Sequence, residues 1–221
     1  MGRPGRPAPR ARERAGRRPP RPHRAGPPRR GRTIATVRTF VAVLLDAAVR
    51  ARLGDVIEKL RPLVPGVAWV APDNLHLTVK FLGGVDEGRL ADVTAALARA
   101  ARAAPPFDLH VLGLGAFPSA TRPRVLWAGV AAGAEPLTRL ASAVDDVLGA
   151  TGFAREDRAF SPHVTFGRVR EPRRQPALAD TLDARRDFGH VQVTKLSLMR
   201  SDLSPRGARY TELAAIPLTG A

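Results

Sequence analysis

The chain has 221 residues, with 36 Lys and Arg against 20 Asp and Glu, and a formal net charge of +16. This length allows one large domain or two small lobes with a substantial buried core. The absence of cysteine excludes disulfide frameworks, thiolate nucleophiles and cysteine–zinc sites. The longest apolar run, Phe40–Leu45, is far shorter than the ~18 residues that a membrane span requires, so we expect no membrane partner. The absence of a targeting signal favours a cytoplasmic location by default.

The first 32 residues differ in composition from the rest, since they carry twelve Arg, eight Pro and a single acid, Glu13. Without apolar periodicity such a segment cannot offset its ordering entropy, and we predict that residues 1–35 are disordered and precede a folded domain at 36–221. Its prolines and lack of Ser disfavour a transit peptide. A basic arm that binds nucleic-acid phosphates is physically reasonable. The favoured hypothesis is that translation starts at Val37, from a GTG codon.

The folded part begins with a β-branched, apolar segment, Thr36–Leu45, which predicts a buried strand. Apolar residues spaced near 3.6 then predict an amphipathic helix over Asp46–Leu60, ended by Pro62. Val67–Val70 is a candidate for a short strand. The first half of the domain therefore opens as strand, helix and strand.

Strict alternation of apolar and polar residues predicts a further strand over Asn74–Phe81. One face carries Leu75, Leu77, Val79 and Phe81, and the other carries His76, Thr78 and Lys80. We expect Gly83-Gly84 to end this strand in a turn and a helix to follow over Asp86–Ala101.

The rest of the chain alternates short strands with helices. Strands are expected at Phe107–Leu114, Val125–Val130, His163–Val169, Val191–Met199 and Tyr210–Ile216, and helices at Leu137–Leu148 and Ala177–Ala184. This mixed order is typical of an α+β protein with antiparallel sheets. Because no strand leads into a glycine-rich phosphate loop, a parallel doubly wound fold is disfavoured.

A short motif occurs twice: His76-Leu77-Thr78-Val79 and His163-Val164-Thr165-Phe166 are both His-apolar-Thr-apolar. Each copy lies on an expected strand, where alternation puts its His and Thr on one face. Two similar lobes that face each other would bring both pairs into one cleft. We therefore expect an α+β fold with two pseudo-symmetric lobes of antiparallel sheet, helices packed outside and a catalytic cleft between the lobes.

Two imidazoles on opposite sides of a phosphorus atom can divide the proton transfers of a phosphate reaction. The neutral imidazole takes a proton from the attacking water, and the protonated one gives a proton to the departing oxygen. Histidine suits both tasks because its ordinary pKa is ~6.5. Threonine hydroxyls can donate hydrogen bonds to the non-bridging oxygens, where charge accumulates. Such a site needs no metal and no cofactor.

Other interpretations of the motif carry less weight. A single His-x-Thr-x most often marks a half-buried structural histidine, but this chain uses two of its five His in this way. A zinc site made by His76 and His163 would have no Cys or carboxylate from either motif. Ser161 lies close to His163 in the chain, but without the context of a nucleophile elbow.

The residues around the motifs resemble those of a known family. Arg38–Val43, Leu75–Gly83 and Ser161–Arg168 together resemble the RNA 2′,3′-cyclic phosphodiesterases of the two-histidine phosphoesterase superfamily, historically called 2′-5′ RNA ligases. Supporting similarity lies in Gly115–Pro118, Pro123–Trp127 and Leu198–Ser201. Val79 and Phe166 depart from the family, which usually has Leu at these positions, and we expect both to face the core.

The resemblance implies hydrolysis of a terminal 2′,3′-cyclic phosphate on RNA to a 2′-phosphate, with 2′-5′ ligation as a minor reverse activity. It implies that His76 is the proton donor and His163 the proton acceptor, a distinction that the repeat itself does not make. It also implies that Thr78 and Thr165 hold the phosphate and that Arg168 adds charge-assisted contacts.

Two more residues are candidates for substrate binding. Phe40 could stack on a base, although its apolar strand favours the core. Arg124 could line an RNA groove or could be an exposed charge at a strand edge. The expected partner is RNA with a 2′,3′-cyclic phosphate end. We expect a monomer without an obligate protein partner.

Alternative functions remain open at this stage. Within the superfamily, the substrate could be a small cyclic phosphate or a 2′-5′ oligonucleotide. A different class of function is an RNA-binding protein whose cleft holds RNA ends without turnover. Substitution of His76 by Ala distinguishes the two classes, because an enzyme would lose catalytic rate whereas an RNA-binding protein would keep its binding.

Overall fold

The computed structural model describes residues 35–170, 178, 181–182, 185–205 and 207–220, all within one compact unit, Ile34–Ala221. The predicted tail, apart from Ala35, lies outside the described residues. Most of the helix expected at Ala177–Ala184 also lies outside them, and its described members, Leu178, Thr181 and Leu182, are helical.

Apart from the helical residues at 178 and 181–182, the described ranges contain three α-helices and nine β-strands, close to those expected. The helices are α1 (Ala47–Leu60), α2 (Leu90–Arg102) and α3 (Ala134–Gly149). The strands are β1 (Thr36–Leu44), β2 (Val67–Trp69), β3 (His76–Asp86), β4 (Phe107–Phe117), β5 (Val125–Val130), β6 (His163–Val169), β7 (Asp187–Val193), β8 (Lys195–Ser204) and β9 (Gly207–Pro217). Short 3₁₀ turns at Pro72–Asn74 and Glu87–Arg89 precede β3 and α2.

The strands form a single antiparallel sheet rather than two separate ones. Its order is β7-β4-β5-β6-β3-β1-β8-β9, and β2 pairs with β6 beside this path. The sheet divides at the β6–β3 junction into two halves of four strands. We call β3, β1, β8 and β9 lobe 1, and β6, β5, β4 and β7 lobe 2. The order thus confirms the expected α+β fold with two related lobes.

The two parts of the chain exchange strands, since lobe 2 contains β4 and lobe 1 contains β8 and β9. β4 follows α2 but pairs with β5 and β7 in lobe 2, whereas β8 comes late in the chain and pairs with β1 in lobe 1. Only Thr194 separates β7 from β8, although the two strands stand near opposite ends of the sheet. Because consecutive Cα atoms are ~3.8 Å apart, the sheet must curl until these two strand ends approach each other.

The helices cover one face of the sheet and bury their apolar stripes there. Leu53 of α1, Leu97 of α2 and Leu140 of α3 belong to the main core, together with Leu77 of β3 and Val164 of β6. α2 packs against α3, β8 and β9, while α1 packs against β7 and α3 against β3. The uncovered face is therefore the face on which the neighbours of Leu77 and Val164 project.

An extra residue in β3 reverses the alternation expected there. Ala42 pairs with Thr78 but Val41 pairs with Lys80, which leaves Val79 as a β-bulge. Lys80 is consequently buried on the core side instead of lying on the face of His76.

Because of the same bulge, the face predicted for Phe81 is wrong. Its side chain is 58% exposed and does not share a face with the buried Leu77. The expected stop at Gly83-Gly84 is also wrong, because β3 continues to Asp86. A second irregularity, with Gly83 at φ +72°, lets the strand pass through the glycines.

The single strand expected at Val191–Met199 is in fact two. β7 ends at Val193 and β8 begins at Lys195, and the two pair with different partners in different lobes. Apolar residues recur in both segments and no Gly or Pro lies between them, so the sequence gives no sign of the change of lobe.

None of the helices in the described ranges has both the length and the apolar character needed to cross a membrane.

Candidate active site

The two His-x-Thr-x motifs meet at the junction of the lobes. β3 and β6 are joined by one residue pair, Leu77 opposite Val164, and both side chains are fully buried on the helix-covered side. The His and Thr of each motif flank this pair and project to the uncovered face. The antiparallel register sets the His of one motif beside the Thr of the other. A pseudo-two-fold axis through the Leu77–Val164 pair therefore relates the motifs.

Both imidazoles are anchored to the backbone in the same way. Nδ1 of His76 lies 2.7 Å from the carbonyl oxygen of Asn74, and Nδ1 of His163 lies 2.7 Å from that of Ser161. A carbonyl oxygen only accepts, so Nδ1 carries the hydrogen in each ring and donates it. This arrangement leaves Nε2 of each histidine as the nitrogen that can accept or deliver a proton.

His76 has the more enclosed environment. Its Nε2 lies 3.0 Å from Oγ1 of Thr78. Burial lowers the pKa of His76; the hydrogen bond to Asn74 raises it, the positive charge of Arg168 lowers it, and the net direction is below 6.5. The unliganded site therefore favours the neutral form of this imidazole.

Aromatic rings surround both histidines. The Phe40 ring centroid lies 4.8 Å from that of His76, and Tyr210 meets the same imidazole edge-on at 5.2 Å. Across the junction, Phe117 stands perpendicular to His163 at 5.2 Å. Packing of this kind restricts both imidazole rings to one orientation.

The bulge after the motif occurs in both strands. In β6, Trp127 of β5 pairs with Thr165 but Leu126 pairs with Gly167, so Phe166 is the extra residue. Phe166 is fully buried and Val79, at the matching position of β3, is 6% exposed, which agrees with the core location expected for both.

The bulge in β6 brings Arg168, three residues after the motif Thr, to the exposed side of the strand. The positive charge of Arg168 acts to lower the pKa of His76 and that of Tyr210. The structure thus places Arg168 within electrostatic range of the first motif.

The two remaining predicted site residues are less central. Phe40 is only 3% exposed, and its ring contacts His76, Phe81 and Tyr210 instead of offering a free face to a base. Arg124 is exposed, and its backbone bonds to Phe117 and Val169 next to β6. Phe40 is thus a support for the His76 ring, and Arg124 lies at the edge of the site.

Sequence reasoning missed three residues that contact the histidines. Tyr210 stands alone on β9, where no motif marks it. Phe117 ends β4, and only its place in the family-like Gly115–Pro118 segment pointed to it. Asn74 supplies the carbonyl for His76, and its side-chain amide donates to the carbonyl of Ala208 in β9 at 2.7 Å.

A buried lysine lies under the site. Nζ of Lys80 donates to a carboxylate oxygen of Asp145 in α3 and, at 2.8 Å, to the carbonyl of Ala154. The same Asp145 oxygen accepts from the backbone N–H of Glu156 at 3.2 Å. These bonds connect the first motif strand to the segment that leads to His163.

The described residues contain no group of three or more His, Asp or Glu side chains that could hold a metal ion. The donors that surround the two imidazoles are hydroxyl, phenol and guanidinium groups, which suit a phosphate anion.

Comparison with known proteins gives a consistent family. The model of the 2′-5′ RNA ligase superfamily matches residues 46–205. An RNA 2′,3′-cyclic phosphodiesterase of Methanothermobacter thermautotrophicus is 35% identical over 184 residues, 82% of this chain and 99% of that protein. A protein of the same name from Archaeoglobus fulgidus is 39% identical over 179 residues, 80% of this chain and 98% of that protein.

The fold is also similar to that of a solved structure. Escherichia coli LigT complexed with 3′-AMP superposes with a TM-score of 0.70 at 27% identity, covering 84% of this chain and 99% of that one. The similarity extends over both lobes, so it includes the strands that carry the two motifs.

Proposed function

Since the chain belongs to the 2′-5′ RNA ligase superfamily, we propose that it hydrolyses the 2′,3′-cyclic phosphate at the end of an RNA strand and leaves a 2′-phosphate. The observation that carries the proposal is the pairing of the two motifs at Leu77 and Val164, which turns both imidazoles to one face of the sheet. The names of the two curated relatives support the same reaction.

The reaction needs two proton transfers on opposite sides of the phosphorus atom. His163 accepts a proton from water through Nε2 as the water oxygen attacks phosphorus. His76 donates a proton from Nε2 to the 3′ oxygen as the P–O3′ bond breaks. The products are a 2′-phosphate and a 3′-hydroxyl, and solvent exchange restores the two imidazoles.

The other site residues stabilise the negative charge that builds on the phosphoryl oxygens. The hydroxyls of Thr78 and Thr165 donate to the non-bridging oxygens, and the Arg168 guanidinium adds a full positive charge beside them. The division of acid and base between the histidines follows the family resemblance. If the 5′-hydroxyl of a second RNA strand takes the place of water, His163 accepts its proton as its oxygen bonds to phosphorus, His76 protonates O3′ as the P–O3′ bond breaks, and the strands are joined by a 2′-5′ linkage; this ligation is proposed as a minor activity.

The full chain should be incubated with an RNA that ends in a 2′,3′-cyclic phosphate, in the presence of EDTA, with chemical mapping of the product end. We expect a 2′-phosphate. His76→Ala and His163→Ala should each lower the rate by about 10²- to 10⁴-fold, because each removes one acid–base group.

His190→Ala is a matched control, since His190 stacks on His110 at the opposite end of lobe 2 and leaves the motifs untouched. Its rate should stay within twofold of the parent. A strict metal requirement, or a rate that survives both motif substitutions, would contradict the two-histidine mechanism.

A further inference from the structure

The 3₁₀ turn before β3 ends at Asn74, a half-buried residue that forms hydrogen bonds in three directions. Its backbone N–H donates to the carbonyl of Ala71 at 2.8 Å and closes the turn. Its carbonyl oxygen accepts from Nδ1 of His76 at 2.7 Å. Its side-chain amide donates to the carbonyl of Ala208 in β9, also at 2.7 Å. Asn74 therefore joins the turn, the imidazole of the first motif and β9.

The strand that receives this amide belongs to a long hairpin. β8 pairs with β1 from Ser197 to Arg200, whereas its pairing with β9 continues as far as Ser204 opposite Gly207. The end of the hairpin, residues 201–209, thus extends beyond the register that β8 shares with β1. The turn that ends at Asn74 packs against β9. The amide bond therefore connects this end of the hairpin to the strand that carries the first motif.

β9 supports the His76 imidazole in two ways. Tyr210 meets the ring edge-on, with the centroids 5.2 Å apart. Ala208, two residues earlier in β9, holds the Asn74 amide, and the carbonyl of Asn74 holds Nδ1 of the same ring. The first contact limits the tilt of the ring, and the second determines where the acceptor for Nδ1 lies.

The position of that acceptor decides which nitrogen of His76 carries the hydrogen. A neutral imidazole has one N–H, and the hydrogen bond at one nitrogen leaves the other as the basic atom. With Nδ1–H donated to Asn74, Nε2 is basic and accepts from the hydroxyl of Thr78, 3.0 Å away. The alternative tautomer carries its hydrogen on Nε2, donates it to Thr78 and leaves Nδ1 as the basic atom. Only the first form takes up and releases its exchangeable proton at Nε2.

We propose that Asn74 is a positioning residue for His76: its amide bond to Ala208 fixes the carbonyl that keeps the hydrogen on Nδ1, so that the proton leaves from Nε2. The inference rests on the proposed function and gives the β8–β9 hairpin a part in the acid step. In the second motif Ser161 holds the equivalent place, and its carbonyl accepts from Nδ1 of His163 at 2.7 Å. His163 is therefore an internal reference.

The first test measures the tautomers of the imidazole rings by ¹H–¹⁵N NMR of the full, ¹⁵N-labelled chain at about pH 8, where ordinary imidazoles are neutral. His76→Ala and His163→Ala identify the two sets of signals. Asn74→Leu keeps the approximate side-chain volume and removes both amide donors, and Asn74→Ala removes the amide altogether. In each Asn74 variant the ratio of Nδ1–H to Nε2–H forms of His76 should fall about fivefold or more, the effect of weakening one hydrogen bond. The ratio for His163 should not change.

The second test measures turnover of an RNA that ends in a 2′,3′-cyclic phosphate. Both Asn74 variants should lower kcat by roughly 10- to 100-fold, the loss that follows when the hydrogen-bonded support of a metal-binding histidine is removed. Ser204→Ala is the matched control, because Oγ of Ser204 donates to the carbonyl of Gly207 at 2.8 Å within the same hairpin. Its kcat should stay within twofold of the parent, and its tautomer ratios should be those of the parent.

The outcomes separate this role from the proposed function. An unchanged His76 ratio in both Asn74 variants would overturn the positioning role, and so would a changed ratio with an unchanged kcat. An equal loss of kcat in Ser204→Ala would overturn it as well, since loosening of the hairpin would then explain the effect. A parent chain that holds His76 in the Nδ1–H form but does not convert the RNA would overturn the proposed function and leave the hydrogen-bonding role of Asn74 in place.

Discussion

At the scale of residues, the two histidines share a backbone anchor but differ in their surroundings. His76 lies against Phe40 and Tyr210, and burial is the main reason for its lowered pKa. A proton donor in this position is charged only at low pH while the cleft holds no anion. A bound cyclic phosphate brings a negative charge that favours the imidazolium form and raises the pKa again.

This environment predicts two different pH profiles. If His76 is the donor, activity falls as pH rises through its pKa. The limb in kcat/KM reports the free enzyme, whose His76 pKa lies below 6.5, and the limb in kcat reports the complex. We expect the alkaline limb at lower pH in kcat/KM than in kcat. Coincident limbs, or the opposite order, would show that His76 is not the group that must be protonated.

Sequence reasoning identified the histidines and threonines because the repeat is local and alternation fixes which side chains share a face. It misplaced Phe81 and Lys80, because a single bulged residue reverses every later position and leaves no mark in the pattern of apolar residues. The role of Tyr210 could not be predicted from the sequence, since its contact with His76 depends on how β9 and β3 are brought together across β1 and β8.

At the scale of elements, the ion pair between Lys80 of β3 and Asp145 of α3 is unequally buried. The Lys80 side chain is 3% exposed and that of Asp145 is 19% exposed. Desolvation raises the pKa of Asp145, but hydrogen bonds from Lys80 and the Glu156 N–H, together with the charges of Lys80 and Arg155, outweigh this effect and lower it. The carboxylate therefore stabilises the fold at pH values above the ordinary pKa of aspartate. This stabilisation is lost as the pH falls through the lowered pKa of Asp145.

The unequal burial predicts unequal effects of substitution. Asp145→Ala would leave a buried ammonium without its main partner and should lower the free energy of unfolding by about 3–5 kcal/mol. Lys80→Met leaves a carboxylate that still reaches water and the Glu156 N–H, and should cost about 1–3 kcal/mol. Urea denaturation measures both.

The double variant Lys80→Met, Asp145→Leu completes the comparison. Replacement of both charges by apolar groups should be less destabilising than Asp145→Ala alone. Equal losses in the two single variants would show that burial of the ammonium does not decide the cost.

At the scale of the whole molecule, the exchange of strands makes the lobes interdependent. Most strands and helices were predictable, because their apolar periodicities are clear. The path of the chain between lobes was not, since no Gly or Pro marks the crossing at Thr194. Pairing of β8 with β1 and of β4 with β5 depends on contacts far apart in sequence.

Because neither lobe is complete without the other half of the chain, we expect one cooperative unfolding transition. Fluorescence of Trp69 and Trp127, which lie in β2 and β5, should follow the same urea curve as far-UV circular dichroism of the entire fold. Separate midpoints for the two probes would mean that lobe 2 unfolds on its own.

The near-symmetry of the cleft has a consequence for polarity. A nucleic-acid strand has a direction, whereas two equivalent imidazoles related by a two-fold axis would bind it equally well in either orientation. The features that break the dyad, such as Tyr210 beside His76, Phe117 beside His163 and the single arginine of the second motif strand, would then decide which way a strand end enters. Orientation of the polymer, and with it the identity of the scissile ester, is then decided outside the pair of residues that carry out the proton transfers.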